Sequence, residues 1–210
     1  MSRCLYVVDP VSNLYTLDTA TGSSRTVGSV GIANVTDIAF HGPTLYGVSF
    51  AQLLRLDPDR ATGTTIGSIG FTTNGLAVAT DGTIYAGTLT GELITINPVT
   101  GAGTLVGSFG GGLTSSGDLA FDSNDVLYGA LNQGNAVVLA RVDRGTGAAT
   151  VIGPTGRPTV YGLDFLCCRL YGTTAQGELV HINVASGAAT VVGTNTLTQW
   201  GMAARPCCCC

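Results

Sequence analysis

The chain contains five copies of one sequence unit, and this repetition restricts its fold more than any other feature does. An aliphatic–Tyr pair recurs about every 40 residues. A Leu-x-x-(Leu/Ile/Val)-(Asp/Asn) segment follows each pair, and a glycine preceded by Val or Ile comes ten residues after that acid or amide. The tyrosines are Tyr6, Tyr46, Tyr85, Tyr128 and Tyr171, and the glycines are Gly28, Gly67, Gly107, Gly153 and Gly193. Motifs in fixed order at a fixed period indicate five equivalent structural units.

Each unit has the pattern of four short strands. In residues 74–109, alternating apolar and polar runs at 74–79, 83–88, 92–97 and 104–109 are separated by turn residues. Asn97 can accept a hydrogen bond from its own backbone two residues later, and Gly101 supplies the positive φ that closes the last hairpin. A four-stranded antiparallel sheet repeated every ~40 residues predicts an all-β protein, a five-bladed β-propeller.

The frame of the repeats predicts how the ring closes. The chain starts with the second strand of a blade, at residues 3–8, and its last strand is a lone first strand at 199–204. We therefore predict one propeller domain over residues 1–206. Its blades span about 35–70, 74–109, 117–153 and 160–194, with a composite blade formed by 199–204 and 3–30, and a cysteine tail follows at 207–210. Pairing the two ends removes two exposed sheet edges.

The repeat pattern resembles a known class. It is similar to NHL-like propeller repeats and to the short Thr-Gly-turn repeats of bacterial β-propeller proteins. The shared pattern is Gly-(Leu/Ile)-Ala, a turn, (Leu/Ile)-Tyr, and then Leu-x-x-(Leu/Ile)-Asp-Pro-x-Thr-Gly. The resemblance covers nearly the whole chain. It implies a fold but no particular activity, because propellers carry many unrelated functions.

Charge and hydropathy exclude several partners. All nine cations are arginine, the acids number 13, and the net charge is −4, so no basic patch predicts nucleic-acid binding. No apolar run approaches the ~20 residues that cross a bilayer, so we expect no transmembrane segment. The first residues enter a strand pattern at once and lack the features of a signal peptide. We expect a soluble product and leave its compartment open, including a surface or particle-associated location.

Catalytic patterns are sparse. The two histidines fall in different blades without a Ser, Asp or Cys partner pattern, and no glycine-rich loop leads into a helix. We therefore predict no enzyme, no cofactor and no resident metal. The least favoured alternative is a lactonase-like enzyme with a channel metal, whose ligands would come from Asp37, Asn74, Asp118 and Asp164.

Departures from the repeat predict a ligand site. The residue before the small-residue core of each first strand should face one mouth of the central channel; these residues are Thr36, Asn74, Gly117, Tyr161 and Trp200. Aromatic rings can stack on a sugar while amides bond its hydroxyls. The predicted binding set is Thr36, Asn74, Arg157, Tyr161, Asp164, Gln199 and Trp200. Asp164 replaces the alanine of the other four copies and should line a wet channel. The alternative is that Tyr161 and Trp200 only fill the gap between blades.

Seven cysteines admit several interpretations. The repeat frame brings Cys4, Cys207 and Cys208 together at the closing seam, one blade away from the Cys167–Cys168 turn. A disulfide from Cys4 to Cys207 or Cys208 would staple the ring. A soft-metal site, intermolecular crosslinking or lipid attachment, and an inert tail are the alternatives. For Cys167 and Cys168, we expect two free thiols rather than a strained bond between neighbours.

These features together predict a non-catalytic binding or assembly module. The first hypothesis is a rigid scaffold that contacts a protein partner or assembles with itself, for example within a larger surface or viral assembly. The alternative is a lectin-like binder of a carbohydrate or other small ligand at the channel mouth.

Overall fold

The computed structural model describes residues 5–205, which form twenty strands in five four-stranded antiparallel sheets. In chain order the strands are β1 Leu5–Val8, β2 Asn13–Leu17, β3 Ser24–Ser29, β4 Asp37–His41, β5 Thr44–Ser49, β6 Gln52–Leu56, β7 Gly63–Ser68, β8 Thr73–Val78, β9 Ile84–Thr88, β10 Glu92–Ile96, β11 Gly103–Ser108, β12 Thr114–Phe121, β13 Leu127–Gln133, β14 Ala136–Val142, β15 Ala149–Pro154, β16 Gly162–Leu166, β17 Arg169–Thr173, β18 Glu178–Ile182, β19 Ala189–Thr194 and β20 Met202–Ala204. Blades 1 to 4 are β4–β7, β8–β11, β12–β15 and β16–β19. The prediction of a five-bladed propeller is confirmed.

Within residues 5–205 there is no helix of the length and hydropathy needed to cross a membrane.

Blade 5 is assembled from both ends of the chain, as predicted. Its strand order is β20-β1-β2-β3, and β1 pairs with β20 in the register Leu5↔Ala204 and Val7↔Met202. Strand β20 is shorter than the predicted run 199–204, and residues 3 and 4 of the predicted run 3–8 lie outside the described residues. Pairing nevertheless continues past the end of β20, because the Trp200 N–H donates to the Val8 carbonyl at 2.9 Å and the Val8 N–H donates to the Gly201 carbonyl at 3.1 Å.

The hydrophobic core lies between the blades. The described residues form five apolar clusters, and each cluster joins two neighbouring blades. The repeated tyrosine contributes to this packing, because Tyr85 of blade 2 meets Phe121 of blade 3 edge-on, with ring centroids 5.5 Å apart. Equivalent pairs at 5.4 Å are Tyr6 with Phe40 and Tyr128 with Phe165. The aliphatic–Tyr signature therefore marks contacts between blades.

Two of the repeated glycines meet where neighbouring blades approach each other at the rim. Gly67, at the end of blade 1, lies against the Thr100–Gly101 turn of blade 2, and a Cβ built on Gly101 would lie 2.6 Å from the carbonyl carbon of Gly67. The same contact joins blades 2 and 3, 3 and 4, and 4 and 5. Gly101 also has φ +79°, which glycine adopts readily. These glycines therefore allow one blade's backbone to dock directly on the next.

The loops divide onto two faces. The upper face carries the connections from the second to the third strand of each blade, such as residues 50–51, and those from one blade to the next. The lower face carries the turns from the first to the second strand, such as residues 42–43, and from the third to the fourth. A cavity opens on each face near the channel axis.

Candidate ligand-binding site

The upper cavity is ringed by one residue from each blade. Its volume is about 360 Å³, and the five residues predicted to face this mouth all line it: Thr36, Asn74, Gly117, Tyr161 and Trp200. The remaining lining residues are Phe50, Leu89, Ser115, Ser116, Asn132, Pro158 and Thr159. None of these described residues carries a charge. The cavity therefore suits a neutral ligand.

Aromatic rings form part of the wall. Trp200 meets Phe50 edge-on, with centroids 6.4 Å apart, and Tyr161 is half-buried on the same cavity. Trp200 also packs against the apolar cluster between blades 5 and 1. Its ring therefore fills space between blades, as the alternative interpretation proposed, and also faces the cavity.

Two buried oxygens on this wall have no hydrogen-bond partner among residues 5–205. The Asn74 Nδ2 and Asn132 Nδ2 groups both donate to the Ser115 carbonyl, at 3.4 and 3.1 Å. The Asn74 Oδ1 and the Ser115 Oγ are left unpartnered, although Ser115 is only 3% exposed. An unsatisfied buried polar group costs about 1–3 kcal/mol. Asn74 and Ser115 both line the cavity, so a small side-chain shift would let a bound hydroxyl provide the missing partner.

Three residues of the predicted binding set lie away from this cavity. Arg157 turns to an ion pair with Glu178 at 3.0 Å, and Gln199 is fully buried with its Nε2 donating to Asn195 Oδ1 at 3.0 Å. Gln199 and Trp200 are neighbours, and successive side chains in extended backbone point to opposite sides. Asp164 lies further along its strand and lines the lower cavity.

The loops between second and third strands also contribute to this cavity, which the repeat pattern does not predict. Phe50, Leu89 and Asn132 come from those loops or the strand ends beside them. Phe50 adopts φ +46°, an uncommon conformation for a bulky residue. The longer spacing of the third repeat was the available signal, since β13 and β14 each run seven residues and β13 includes Asn132, which pairs with Val137 of β14.

Three aspartates near the axis bridge neighbouring blades. Asp37 accepts the N–H of Ile38 at 2.8 Å and that of Leu76, in the next blade, at 2.6 Å. Asp118 accepts the N–H of Leu119 at 2.6 Å and that of Leu163, in the next blade, at 2.5 Å. Asp164 accepts the N–H of Phe165 at 2.7 Å and that of Ala204, in blade 5, at 2.6 Å. Each carboxylate is thus a clamp between two innermost strands, and Asp164 holds the closing strand β20.

Burial makes these carboxyl groups hold protons more tightly than usual. It raises the pKa of Asp37 and of Asp118 well above the ordinary value, and the charge of Asp37 raises the pKa of Asp118 further. Burial also raises the pKa of Asp164 to about 7, against the opposing effect of the Ala204 and Phe165 N–H donors. Residues 5–205 contain no cluster of three or more His, Cys, Asp or Glu arranged to hold a metal ion.

The cysteines are only partly described. Cys4, Cys207 and Cys208 lie outside the described residues, so the predicted staple and its alternatives stay predictions. In the lower-face turn, Cys167 is disulfide-bonded and Cys168 is an exposed free thiol. The two are therefore not bonded to each other, and the expectation of two free thiols is wrong for Cys167.

Fold and cavity together define this chain as a five-bladed β-propeller with an uncharged channel mouth. No family model matches the chain, and no curated protein matches it, so the NHL-like resemblance stays a prediction. Among solved structures, a Bacteroides thetaiotaomicron VPI-5482 protein of unknown function is similar with TM-score 0.63 and 12% identity, over 99% of this chain and 62% of that one.

Two further solved structures share the fold. A chain in the crystal structure of a nidogen/laminin complex matches with TM-score 0.62 and 12% identity, over 95% of this chain and 84% of that one. The PQQ-bound aldose sugar dehydrogenase of Streptomyces coelicolor matches with TM-score 0.52 and 15% identity, over 88% and 75%. At these identities the likeness concerns the fold alone.

Proposed function

We propose that this propeller is a non-catalytic binding module whose upper cavity takes a neutral polyhydroxylated ligand, such as a single sugar ring. One observation carries the proposal: an uncharged cavity joins the rings of Trp200 and Tyr161 to two buried oxygens that lack partners. Aromatic faces contribute apolar contact, and amide and hydroxyl groups fix the ligand's orientation. The volume of about 360 Å³ accommodates one ring and its solvent.

The axial carboxylates support a non-catalytic role. Both oxygens of Asp37, Asp118 and Asp164 accept backbone N–H groups that tie neighbouring blades together. A general acid or base has to reach the proton it transfers in a bound substrate. Asp37 and Asp118 are fully buried, so they hold the ring and do not face a ligand in the upper cavity.

Fluorescence titration tests the proposed site, because Trp200 is the only tryptophan in the chain. We expect the emission of Trp200 to change saturably with one or more members of a panel of neutral monosaccharides and polyols. Tyr161→Thr, which introduces the residue that blade 1 carries at this position, should weaken binding about tenfold or more, the equivalent of ~1.4 kcal/mol of lost ring contact.

The control for this titration is Phe121→Val on the lower face, which introduces the residue that blade 2 has at the equivalent position. It should leave the sugar titration unchanged. Calorimetry with Trp200→Thr gives a second, independent measure of affinity without the fluorescent group. Equal affinity in wild type, Tyr161→Thr and Trp200→Thr, or no response to any neutral ligand, would contradict the proposal.

A protein-interaction scaffold is the second candidate, and a row of apolar side chains at the rim favours it. Leu105, Val151 and Val191 occupy equivalent positions on the outermost strands of blades 2, 3 and 4, and Leu105 is 52% exposed. Blades 5 and 1 have threonine at this position. The nidogen/laminin match shows that a chain with this fold has been crystallised in a protein complex. A protein partner on this chain would contact the apolar row, away from the upper cavity.

A further inference from the structure

The lower cavity has a different chemistry from the upper one. Its volume is about 760 Å³, and its wall is built around three phenylalanines at equivalent positions of β4, β12 and β16: Phe40, Phe121 and Phe165. Tyr128 adds a fourth ring to this wall. The cavity narrows at the axis into a channel of about 50 Å³, whose lining side chains other than Asp164 are apolar. Asp164 lines both spaces, so its carboxylate stands where the aromatic cavity narrows.

This carboxylate has no positive partner in the described chain. Its oxygens accept only the N–H groups of Phe165 and Ala204, and no cation of residues 5–205 forms an ion pair with it. Arg205 also lines the cavity, but its guanidinium is directed to the Tyr6 hydroxyl at 3.3 Å and to Asp59 at 3.7 Å. A carboxylate has about four acceptor positions, so Asp164 can accept further contacts after its two backbone bonds.

We propose that the lower cavity binds an organic cation, with its ammonium group against Asp164 and its apolar substituents among Phe40, Phe121 and Phe165. Aromatic rings attract a cation through their negative faces, and a carboxylate surrounded by rings forms a site for a substituted ammonium group. This site is on the opposite face from the proposed polyol cavity and does not depend on it.

The wall also explains why an organic cation fits better than a metal ion or a neutral molecule. Hard metal ions require several oxygen ligands, whereas Asp164 supplies the single carboxylate at the point where this cavity narrows. A neutral ligand offers the carboxylate no opposite charge and leaves the pKa of Asp164 raised by burial, whereas an ammonium group stabilises the ionised form. An ammonium group with methyl or methylene substituents can pair with the carboxylate and also pack against the aromatic rings.

Calorimetry with choline and its uncharged isostere 3,3-dimethyl-1-butanol tests this site. The two molecules share nearly the same shape, so their difference in affinity reports the charge. We expect wild type to bind choline about 5- to 30-fold more tightly than the alcohol. Asp164→Asn should abolish that preference, and Phe121→Val should reduce choline affinity about fivefold. The upper-cavity variant Tyr161→Thr should bind choline as wild type does.

Backbone NMR of the wild-type protein gives a result that does not depend on variants folding. Choline should shift the amides of Phe165 and Ala204, which bond Asp164, while those of Asn74 and Tyr161 at the upper cavity stay unchanged. The proposal is overturned if choline and the alcohol bind equally, if choline does not bind at millimolar concentration, or if the shifts cluster at the upper cavity. Asp164→Ala, which introduces the residue of the other four copies, serves if the Asn variant unfolds.

Discussion

Replacing Gly107 by alanine is expected to destabilise the folded protein by about 3 kcal/mol or more, a loss typical of overpacking in a tightly packed contact. Gly107 ends blade 2 and lies against the Thr146–Gly147 turn of blade 3. An added Cβ would overlap the Thr146 carbonyl oxygen and lie 3.0 Å from its carbon. Both sides of the contact are backbone, so no flexible side chain can move to make room. Urea unfolding measures the loss.

The same substitution at an equivalent position provides the control. Gly28 of blade 5 faces Ala61 and not a glycine, and a Cβ there would lie 3.3 Å from the Ala61 Cβ. The methyl group of Ala61 keeps these two blades further apart. Gly28→Ala should therefore change stability by less than about 1 kcal/mol, because the reduced freedom of the unfolded chain offsets the mild crowding. Equal losses for the two variants would show that the backbone contacts do not differ as described.

The free energy of unfolding is expected to decrease by about 2–4 kcal/mol as pH rises from about 5 to about 8. This magnitude follows from a pKa shift of roughly three units in a partly accessible carboxyl group. Burial raises the pKa of Asp164 from 3.8 to about 7, and those of Asp37 and Asp118 also rise. The folded state therefore keeps protons that the unfolded state has released. That contribution is fully present below the ordinary carboxyl pKa and is lost as pH rises through the folded value.

The turn carboxylates act in the opposite direction at lower pH. Hydrogen bonds from backbone N–H groups lower the pKa of Asp57, and those from Gly145 and Thr146 lower that of Asp143. Such groups stabilise the fold above their unfolded pKa, and that stabilisation is lost as pH falls through the folded value. The two effects together place maximum stability near the ordinary carboxyl pKa, at about pH 4.

Two variants separate these contributions in urea unfolding across the pH range. Asp164→Asn should flatten the slope between pH 5 and pH 8, since it removes one of the groups that loses its proton there. Asp143→Asn is the matched control, because Asn97 and Asn183 already occupy its position in other blades, and it should leave this slope unchanged. Stability that stays level or rises between pH 5 and pH 8 would contradict the burial of the axial carboxyl groups.

The blades and their order were predictable because each rests on a repeated local signal. Alternating apolar residues specify strands, and the Asp/Asn and glycine of each turn specify the hairpin. The repeat frame also fixed the closing strand, since the chain starts and ends at different points of the same unit. The same frame predicted five residues at one mouth of the channel, and the structure places all five around one cavity. They are Thr36, Asn74, Gly117, Tyr161 and Trp200.

The remaining features could not be predicted because they depend on contacts between blades. The axial clamps occur in three copies only, so Asp37, Asp118 and Asp164 appeared as irregularities rather than as a motif. Arg157 was misplaced because the sequence does not indicate its ion pair with Glu178. Phe50 and Asn132 reach the upper cavity through loop conformation and strand length, which a repeat alignment does not specify.

Both cavities and the axial clamp of Asp164 depend on the pairing of β20 with β1, so amide hydrogen exchange at this seam is the most direct test. The Val8 and Trp200 amides should exchange only through global unfolding, with the same opening free energy as the buried Leu163 amide that bonds Asp118. The exposed turn amide of Ala20 provides the reference for local opening. Exchange of Val8 and Trp200 as fast as that of Ala20 would show that the ring is not closed by its two ends.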